Sequence, residues 1–512
     1  MWQKPEQINM DSPVKAQKAR VAVVPAAAPD GGYSWFILLS CFLVFGLTFG
    51  VTKAFGVFFV EIHRYFETTA TETSWISSIA VAALHFGAPA ASALSARYSH
   101  RSVVIMGGLI SGVGVMFGAF ARNMIELYLT VGLLNGFGYA MTWTPTVTML
   151  GFYFEKRRPM ANALASAGEC ALTFVLTPLF QLLIDSYSWR GAFLILGGLQ
   201  LNLCVCGMLL RPLKATRDVT CAVKEEEEGL SLELLPKDDL EQSKPSCLEV
   251  EELRISEGSD HNPEEIPNST VKVQDSNSRT RPELRTKILR HVDYTLITNA
   301  RFMVYSTFGV FAALGLFTPS LFMVPYARSK GIEEYQAAAL MSICAAFDVF
   351  GRVFLGWVAN LRLVETLQQL TATVILQAAV LLLFPLASSF WELAAFSAAY
   401  GLTYGATVAI HITVLAEVVE VKRLGSALGF YMLTRSVGSL LGPPIAGVFI
   451  DKMSDYGMGF IMAGVALIVS ALFLLLLHQM NRRGQRSIAK KRMHADKMEQ
   501  SARAKAKELD MT

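Results

Sequence analysis

Lys53, His85, Glu169, Asp348, Arg352 and Arg435 are ionisable residues set inside long apolar stretches. In hydrocarbon a charged side chain costs at least ~2.5–3.5 kcal/mol on insertion scales, so one that is kept there faces a cavity or a partner. Asp348 and Arg352 stand four residues apart, share one face of a helix and can pair. Such a pair is either a static bridge or a switch. An ionised Asp348 neutralises Arg352, whereas a protonated Asp348 frees the guanidinium to hold a carboxylate through two parallel hydrogen bonds. The switch reading couples a proton to an organic anion. Lys53 lies eighteen residues after Trp35, about 27 Å along a helix at about 1.5 Å per residue. A snorkelling lysine at a membrane edge is the plain alternative, weakened by the apolar run that follows it from Ala54 to Val60. His85 is either a buried, hydrogen-bonded imidazole or a titrating proton relay. Glu169 and Arg435 are of opposite charge and are expected to form a gate or packing bridge. His411 has no evident partner and reads as structural.

These side chains need transmembrane helices to hold them. The chain has 512 residues, 53% hydrophobic and 17% charged, with a mean hydropathy of +0.40, too apolar for a soluble protein of this size. Apolar stretches long enough to cross a bilayer fall at 33–62, 75–94, 103–121, 125–150, 159–184 and 191–210, and again at 302–325, 337–358, 367–386, 391–415, 427–450 and 457–477. The expected fold is an all-α membrane protein with twelve transmembrane helices in two six-helix halves, 33–210 and 298–478. An N-terminal tail covers 1–32, a linker 211–297 and a basic C-terminal tail 479–512. Residues 211–293 contain no Phe, Trp or Tyr and carry the acidic run Glu225–Glu228, a composition that cannot bury a core, so the linker is expected to be disordered.

Basic residues mark the cytoplasmic side. Arg97 and Arg101, Lys156 to Arg158, and Lys422 and Arg423 lie in alternate connections that agree with Arg482 and Arg483 of the tail, which places both termini and the linker in the cytoplasm. The first 32 residues hold no apolar signal core, so the first span is expected to direct insertion. On this topology the sequon Asn268-Ser269-Thr270 stays unmodified. The scattered cysteines suit neither a disulfide framework nor a metal site, and a formal charge of +3 gives no basis for a nucleic-acid partner. No nucleophile, metal or phosphate-loop constellation supports an enzyme, and no cofactor is implied beyond the proton.

The halves repeat faintly at an offset of about 264 residues. Gly87 then falls on Gly351, Ala163-Leu164-Ala165 on Ala427-Leu428-Gly429, His85 one position from Asp348, and Pro178–Asp185 near Pro444–Asp451. Parallel repeats of this kind bind cargo near the bilayer midplane between the halves.

The segment Asp30-Gly31-Gly32-Tyr33-Ser34-Trp35 resembles the motif that enters the first span of the monocarboxylate transporters, solute carrier family 16 of the major facilitator superfamily. Residues Tyr153 to Ala165, with Glu155-Lys156-Arg157-Arg158-Pro159 at their centre, resemble the family's second signature. Trp189-Arg190-Gly191 and Gly442-Pro443-Pro444 add to the match, which covers both halves. The resemblance implies proton-coupled transport of small monocarboxylates, of lactate, pyruvate or ketone-body type, by alternating access. Lys53 and Asp348 then handle the proton, with His85 as a further relay, while Arg352 and Lys53 bind the carboxylate. Phe49, His85, Thr144 and Tyr404 line the substrate site. Here the chain departs from lactate carriers: Phe49 and His85 stand where tyrosines are familiar, Thr144 where asparagine is, Tyr404 where a selectivity-setting Phe is, and Arg435 where an acid is. Ala167-Gly168-Glu169-Cys170 resembles a subgroup associated with ketone bodies. The family also implies a plasma-membrane address and a single-span partner glycoprotein of the basigin or embigin type. Two rival functions remain open at this stage: a proton-independent facilitator of neutral or zwitterionic solutes such as amino acids, creatine or taurine, and a non-transporting membrane receptor or scaffold.

Overall fold

The computed structural model describes residues 31–154, 157–211, 298–360, 364–419 and 424–509. Nearly all of the expected N-terminal tail and linker, and the basic residues Lys156, Lys422 and Arg423, lie outside the described residues. The described chain is helical throughout, without strands.

Ten helices are long and apolar enough to cross a membrane among the described residues. One of them, Met160–Leu209, has 50 residues and folds back at Ser188, whose φ of 59° and ψ of 171° lie outside the helical region. It is therefore two rods. A further rod, 124–153, combines two α-helical stretches with an intervening π-helical one, Tyr128–Leu134. With these the structure is consistent with twelve spans: α1 (34–66), α2 (Ala70–Arg97), α3 (His100–Gly118), α4 (124–153), α5 (158–187), α6 (189–209), α7 (Ala300–Ser329), α8 (Glu334–Asn360), α9 (Thr366–Leu383), α10 (Phe390–Val418), α11 (Leu424–Met453) and α12 (Gly457–Leu509).

Local chemistry sets several of these boundaries. Thr69 with Glu72 and Ser389 with Glu392 form reciprocal capping boxes that start α2 and α10. In α7 the helix breaks at Phe317, just before Thr318-Pro319, because proline cannot donate to the preceding turn. In α1 a π-helical stretch, Gly46–Gly50, immediately precedes the turn that carries Lys53. Extra-residue turns of this kind re-aim the side chains that follow them. The helix of α12 runs on to Leu509, well past the apolar stretch.

The halves meet most extensively along two helix pairs, α2 against α11 and α5 against α8, and the later part of α1 also packs on α7 beyond Thr318. Their polar contacts are concentrated at mid-membrane and at the end remote from the chain termini. At that end Asp451 of α11 accepts hydrogen bonds from Ala70 N (2.8 Å), Thr71 N (3.0 Å) and Thr71 Oγ1 (2.5 Å), and so caps the start of α2. Gln181 of α5 reaches Glu334 at the start of α8 (3.3 Å), and Asp185 interacts with Tyr335. Asp185 and Asp451 are 266 residues apart and Ala70 and Glu334 are 264 apart, so positions equivalent in the repeat face each other at both seams, through a backbone cap at one and side chains at the other. At the end bearing the termini no polar contact joins the halves among the described residues.

The cap donated by Asp451 crosses from one half to the other. Loss of a side-chain cap costs about 0.5–2 kcal/mol, so Asp451→Ala should speed hydrogen exchange at Ala70 and Thr71 by about tenfold. Unchanged protection at these two amides would show that this end is closed by packing alone.

Candidate functional site

Gly168 of α5 sits against the backbone carbonyl of Phe42 in α1, with no room for a Cβ. The close approach delivers its neighbour, Glu169, to Lys53. Gly405 of α10 plays the equivalent part in the other half: a Cβ there would lie 2.7 Å from Asp348 Oδ1, so only glycine lets the turn carrying Tyr404 settle on α8.

Four charges meet where these helices converge. Lys53 Nζ is 2.8 Å from Asp348 Oδ2 and 2.7 Å from Glu169 Oε1. Arg352 Nε donates to Asp348 Oδ1 at 2.7 Å, and its Nη2 donates to Glu169 Oε2 at 2.8 Å and to Asp348 Oδ2 at 3.1 Å. Its Nη1 donates to the carbonyl of Ser166 at 3.1 Å. The result is a closed ring of two cations and two carboxylates, built from α1 and α5 of one half and α8 of the other. The Tyr404 ring covers Lys53, with Nζ 4.0 Å from its centroid, a cation–π contact that strengthens as water is excluded. Side-chain exposure falls from 13% at Lys53 to 0% at Asp348, so the snorkelling reading of Lys53 does not hold. Of the residues singled out in the sequence, Lys53, Asp348, Arg352, Tyr404 and Glu169 are brought together.

Glu169 and Arg435 do not form the expected bridge. Glu169 is taken by Lys53 and Arg352. Arg435 of α11 lies instead over the Phe317 ring, 5.6 Å from its centroid, with Nη1 3.4 Å from His411 Nε2. His411 therefore has a partner, contrary to expectation, and its Nδ1 lies 2.8 Å from the Val408 carbonyl. His85 lies outside the ring: it stands edge-on to Phe317, with centroids 6.1 Å apart, and its buried Nδ1 has no hydrogen-bond partner among the described residues. Phe49 packs edge-on against Trp143 at 5.7 Å, beside Thr144, whose buried hydroxyl is likewise unpartnered. Residue type and spacing gave no sign of Phe317 or the Ser166 carbonyl. The only sequence signal near Phe317 was Pro319, which breaks α7 there.

A sequence profile of the Major Facilitator Superfamily matches residues 38–377 and 367–508. Monocarboxylate transporter 2 of Homo sapiens is 32% identical over 488 residues, covering 94% of this chain and 91% of that protein. The chain belongs to the monocarboxylate transporter family. Monocarboxylate transporter 7 of Homo sapiens is 34% identical, covering 89% of this chain and 88% of that one. Monocarboxylate transporter 3 of Gallus gallus is also 34% identical, over 88% and 79%. Among solved structures, a bacterial homologue of the human lysosomal transporter Spinster, inward-facing and unoccupied, aligns with a TM-score of 0.61 at 15% identity over 88% of this chain and 98% of its own. A POT family transporter in complex with 5-aminolevulinic acid aligns with the same score at 11% identity over the same shares. These two likenesses show the fold. This monocarboxylate transporter relative is thus a multi-pass membrane transporter and not an enzyme.

In this family member the ring is neutral only as a whole. Breaking a buried ion pair by removing one partner costs about 3–5 kcal/mol because a charge is left uncompensated. Glu169→Gln should therefore lower the unfolding midpoint in detergent markedly, and Lys53→Gln added to it should recover at least half of the loss. Additive losses in that double-mutant cycle would mean that the two residues are not coupled.

Proposed function

We propose that this chain carries small monocarboxylates, of lactate, pyruvate or ketone-body type, across the membrane together with a proton by alternating access. The observation that carries this reading is the closed ring of Lys53, Asp348, Glu169 and Arg352 between the halves. Four of the five N–H groups of Arg352 are already engaged, so a cargo carboxylate gains a grip through two parallel hydrogen bonds only by displacing one of the protein's own acceptors. Protonation of Asp348 releases that contact. Lys53 touches both acids and is placed to pass the proton between them.

Charge balance then favours symport. The empty ring holds two positive and two negative charges. With cargo and one proton it holds two cations, one carboxylate, one neutral acid and one cargo anion, and is again neutral. Cargo alone would leave a net negative charge at mid-membrane, where uncompensated charge is costly. The empty and fully loaded forms are therefore the ones that reorient, as the halves 33–210 and 298–478 rock about the site. The printed names of the relatives support monocarboxylates as the cargo class. The departures Phe49, His85, Thr144 and Tyr404 surround the ring's approaches and set which monocarboxylate fits. The remaining parts of the proposal are a plasma-membrane location, cytoplasmic termini with the linker on the same side, and a single-span glycoprotein of the basigin or embigin type as escort.

Uptake of a panel of labelled carboxylates into proteoliposomes, with lumenal pH recorded, tests the reading. Wild-type protein should accumulate cargo down an imposed proton gradient and acidify the lumen, and Asp348→Asn should lose at least tenfold of the gradient-driven accumulation. Proton uptake with cargo that persists undiminished in Asp348→Asn would sink the scheme. Electrically silent uptake of neutral solutes without acidification would replace it by the facilitator.

His85 lies apart from the ring and bears an unpartnered nitrogen. His85→Tyr should accordingly reorder preference within the panel by several-fold and leave the coupling of one proton per cargo intact. If neither preference nor pH profile moves, His85 is a packing residue.

A further inference from the structure

Arg435 differs from every other charge in the membrane core. It is 7% exposed, and among the described residues no carboxylate lies within ion-pair distance of it. Its Nε is buried without a hydrogen-bond acceptor. The nearest polar group on its own side, His411 Nε2, is 3.4 Å from Nη1, long for a hydrogen bond to a charged donor. His411 Nδ1 faces the Val408 carbonyl at 2.8 Å and must carry its proton there, so Nε2 offers a lone pair to the guanidinium and not a charge. The other flank is Phe317, whose ring lies under Arg435 and edge-on to His85. A buried guanidinium with a neutral imidazole, an aromatic floor and free N–H groups lacks only its counter-ion.

The position of this group relative to the ring gives it a role. His411 and Tyr404 are seven residues apart on α10, on one face and about 10 Å apart along the axis. Tyr404 covers Lys53 in the ring, while His411 lies two turns nearer the end of the bundle that bears the termini, where no polar contact joins the halves among the described residues. By the repeat offset Phe317 falls on Lys53, Arg435 near Glu169 and His85 beside Asp348, so Arg435 stands at about the depth of the ring in the other half and offers an anion an uncompensated cation where Arg352 is already engaged by two carboxylates.

We infer that Arg435 is the first docking site for the cargo carboxylate, reached without a proton, and that Arg352 receives the carboxylate afterwards, when protonation opens the ring. This rests on the reading of the chain as a carboxylate carrier and adds to it a second anion site with its own pH behaviour. Docking at Arg435 breaks no ion pair and persists at pH values where the ring is closed. Transfer to Arg352 needs the proton. The guanidinium binds the carboxylate oxygens through N–H groups on its free edge, and the Phe317 ring packs on its face.

Thermal unfolding of the purified full-length protein in detergent at pH 8, titrated with sodium butyrate against salt-matched butyramide, separates the two steps. Wild type should show a saturable upward shift with butyrate and none with the uncharged amide. Arg435→Gln and Arg435→Met should each need at least tenfold more butyrate for the same shift, with Arg435→Lys between them and wild type. Because the substitution removes an unpaired buried charge, ligand-free Arg435→Met should unfold no earlier than wild type. A butyrate response equal to wild type in whichever of these two neutral variants folds, or no butyrate response in the wild type at pH 8, overturns the inference. The first of these leaves the coupling scheme at Asp348 standing. Conversely, uptake that fails to acidify proteoliposomes removes proton coupling and leaves the Arg435 site in place.

Discussion

Charge neutrality in a medium of low dielectric constant is the constraint from which the rest of this structure follows. A single buried ion is stabilised in hydrocarbon chiefly by an opposite charge at contact distance. The chain meets this condition with four residues from three helices, each cation touching both carboxylates. The arrangement needs helix axes that approach within backbone contact, hence Gly168 beside Glu169 and Gly405 beside Tyr404. It also needs Lys53 turned inward, which follows the π-helical stretch of α1. Small residues and an irregular turn would weaken a soluble helix; here they let charged side chains find one another.

Because the ring spans both halves, it is a mechanical tie as well as an electrostatic one. The halves are joined at mid-membrane by the ring and at the end remote from the termini by Asp451 on α2 and by Gln181 reaching Glu334. The second set consists of helix caps and hydrogen bonds near the rim, each worth about 1 kcal/mol. Ligands shift a two-state equilibrium only through differential interaction with the two states. In the proposed cycle a group that alters the ring's charge acts on this tie, which is how protonation and anion binding would be linked to movement of the halves.

Arg435 marks a second solution to the same constraint. Where the ring satisfies its charges internally, Arg435 keeps one open and is tempered only by the Phe317 face and the neutral edge of His411. Its unpartnered Nε, like that of His85 Nδ1 and Thr144 Oγ1, is hydrogen-bonding capacity left unused by the protein itself. Buried groups of this kind carry a desolvation penalty, which a polar cargo would relieve in the proposed cycle.

Much of this was legible in the sequence because hydropathy is a local property. Apolar runs of about twenty residues located the spans, and the repeat offset paired the segments that end at Asp185 and Asp451, although not the contacts that these residues make. The family follows from motifs that are contiguous in the chain. Lys53, Asp348 and Arg352 could be singled out one by one, since a charge in an apolar run is conspicuous wherever it falls, and the i, i+4 spacing of the last two follows from helix geometry alone. Partnership between distant helices is not a local property. Glu169 and Arg435 have opposite signs and similar settings, and their sequence suggests a bridge. Only the crossing of α5 with α8, set by Gly168 and by packing across the halves, gives Glu169 to Lys53 and Arg352 and leaves Arg435 with Phe317 and His411. The sequence determined which residues must be neutralised; the tertiary structure decided which neutralises which, because ion pairing in lipid acts at about 3 Å and that distance is fixed by helix approach, not by position along the chain.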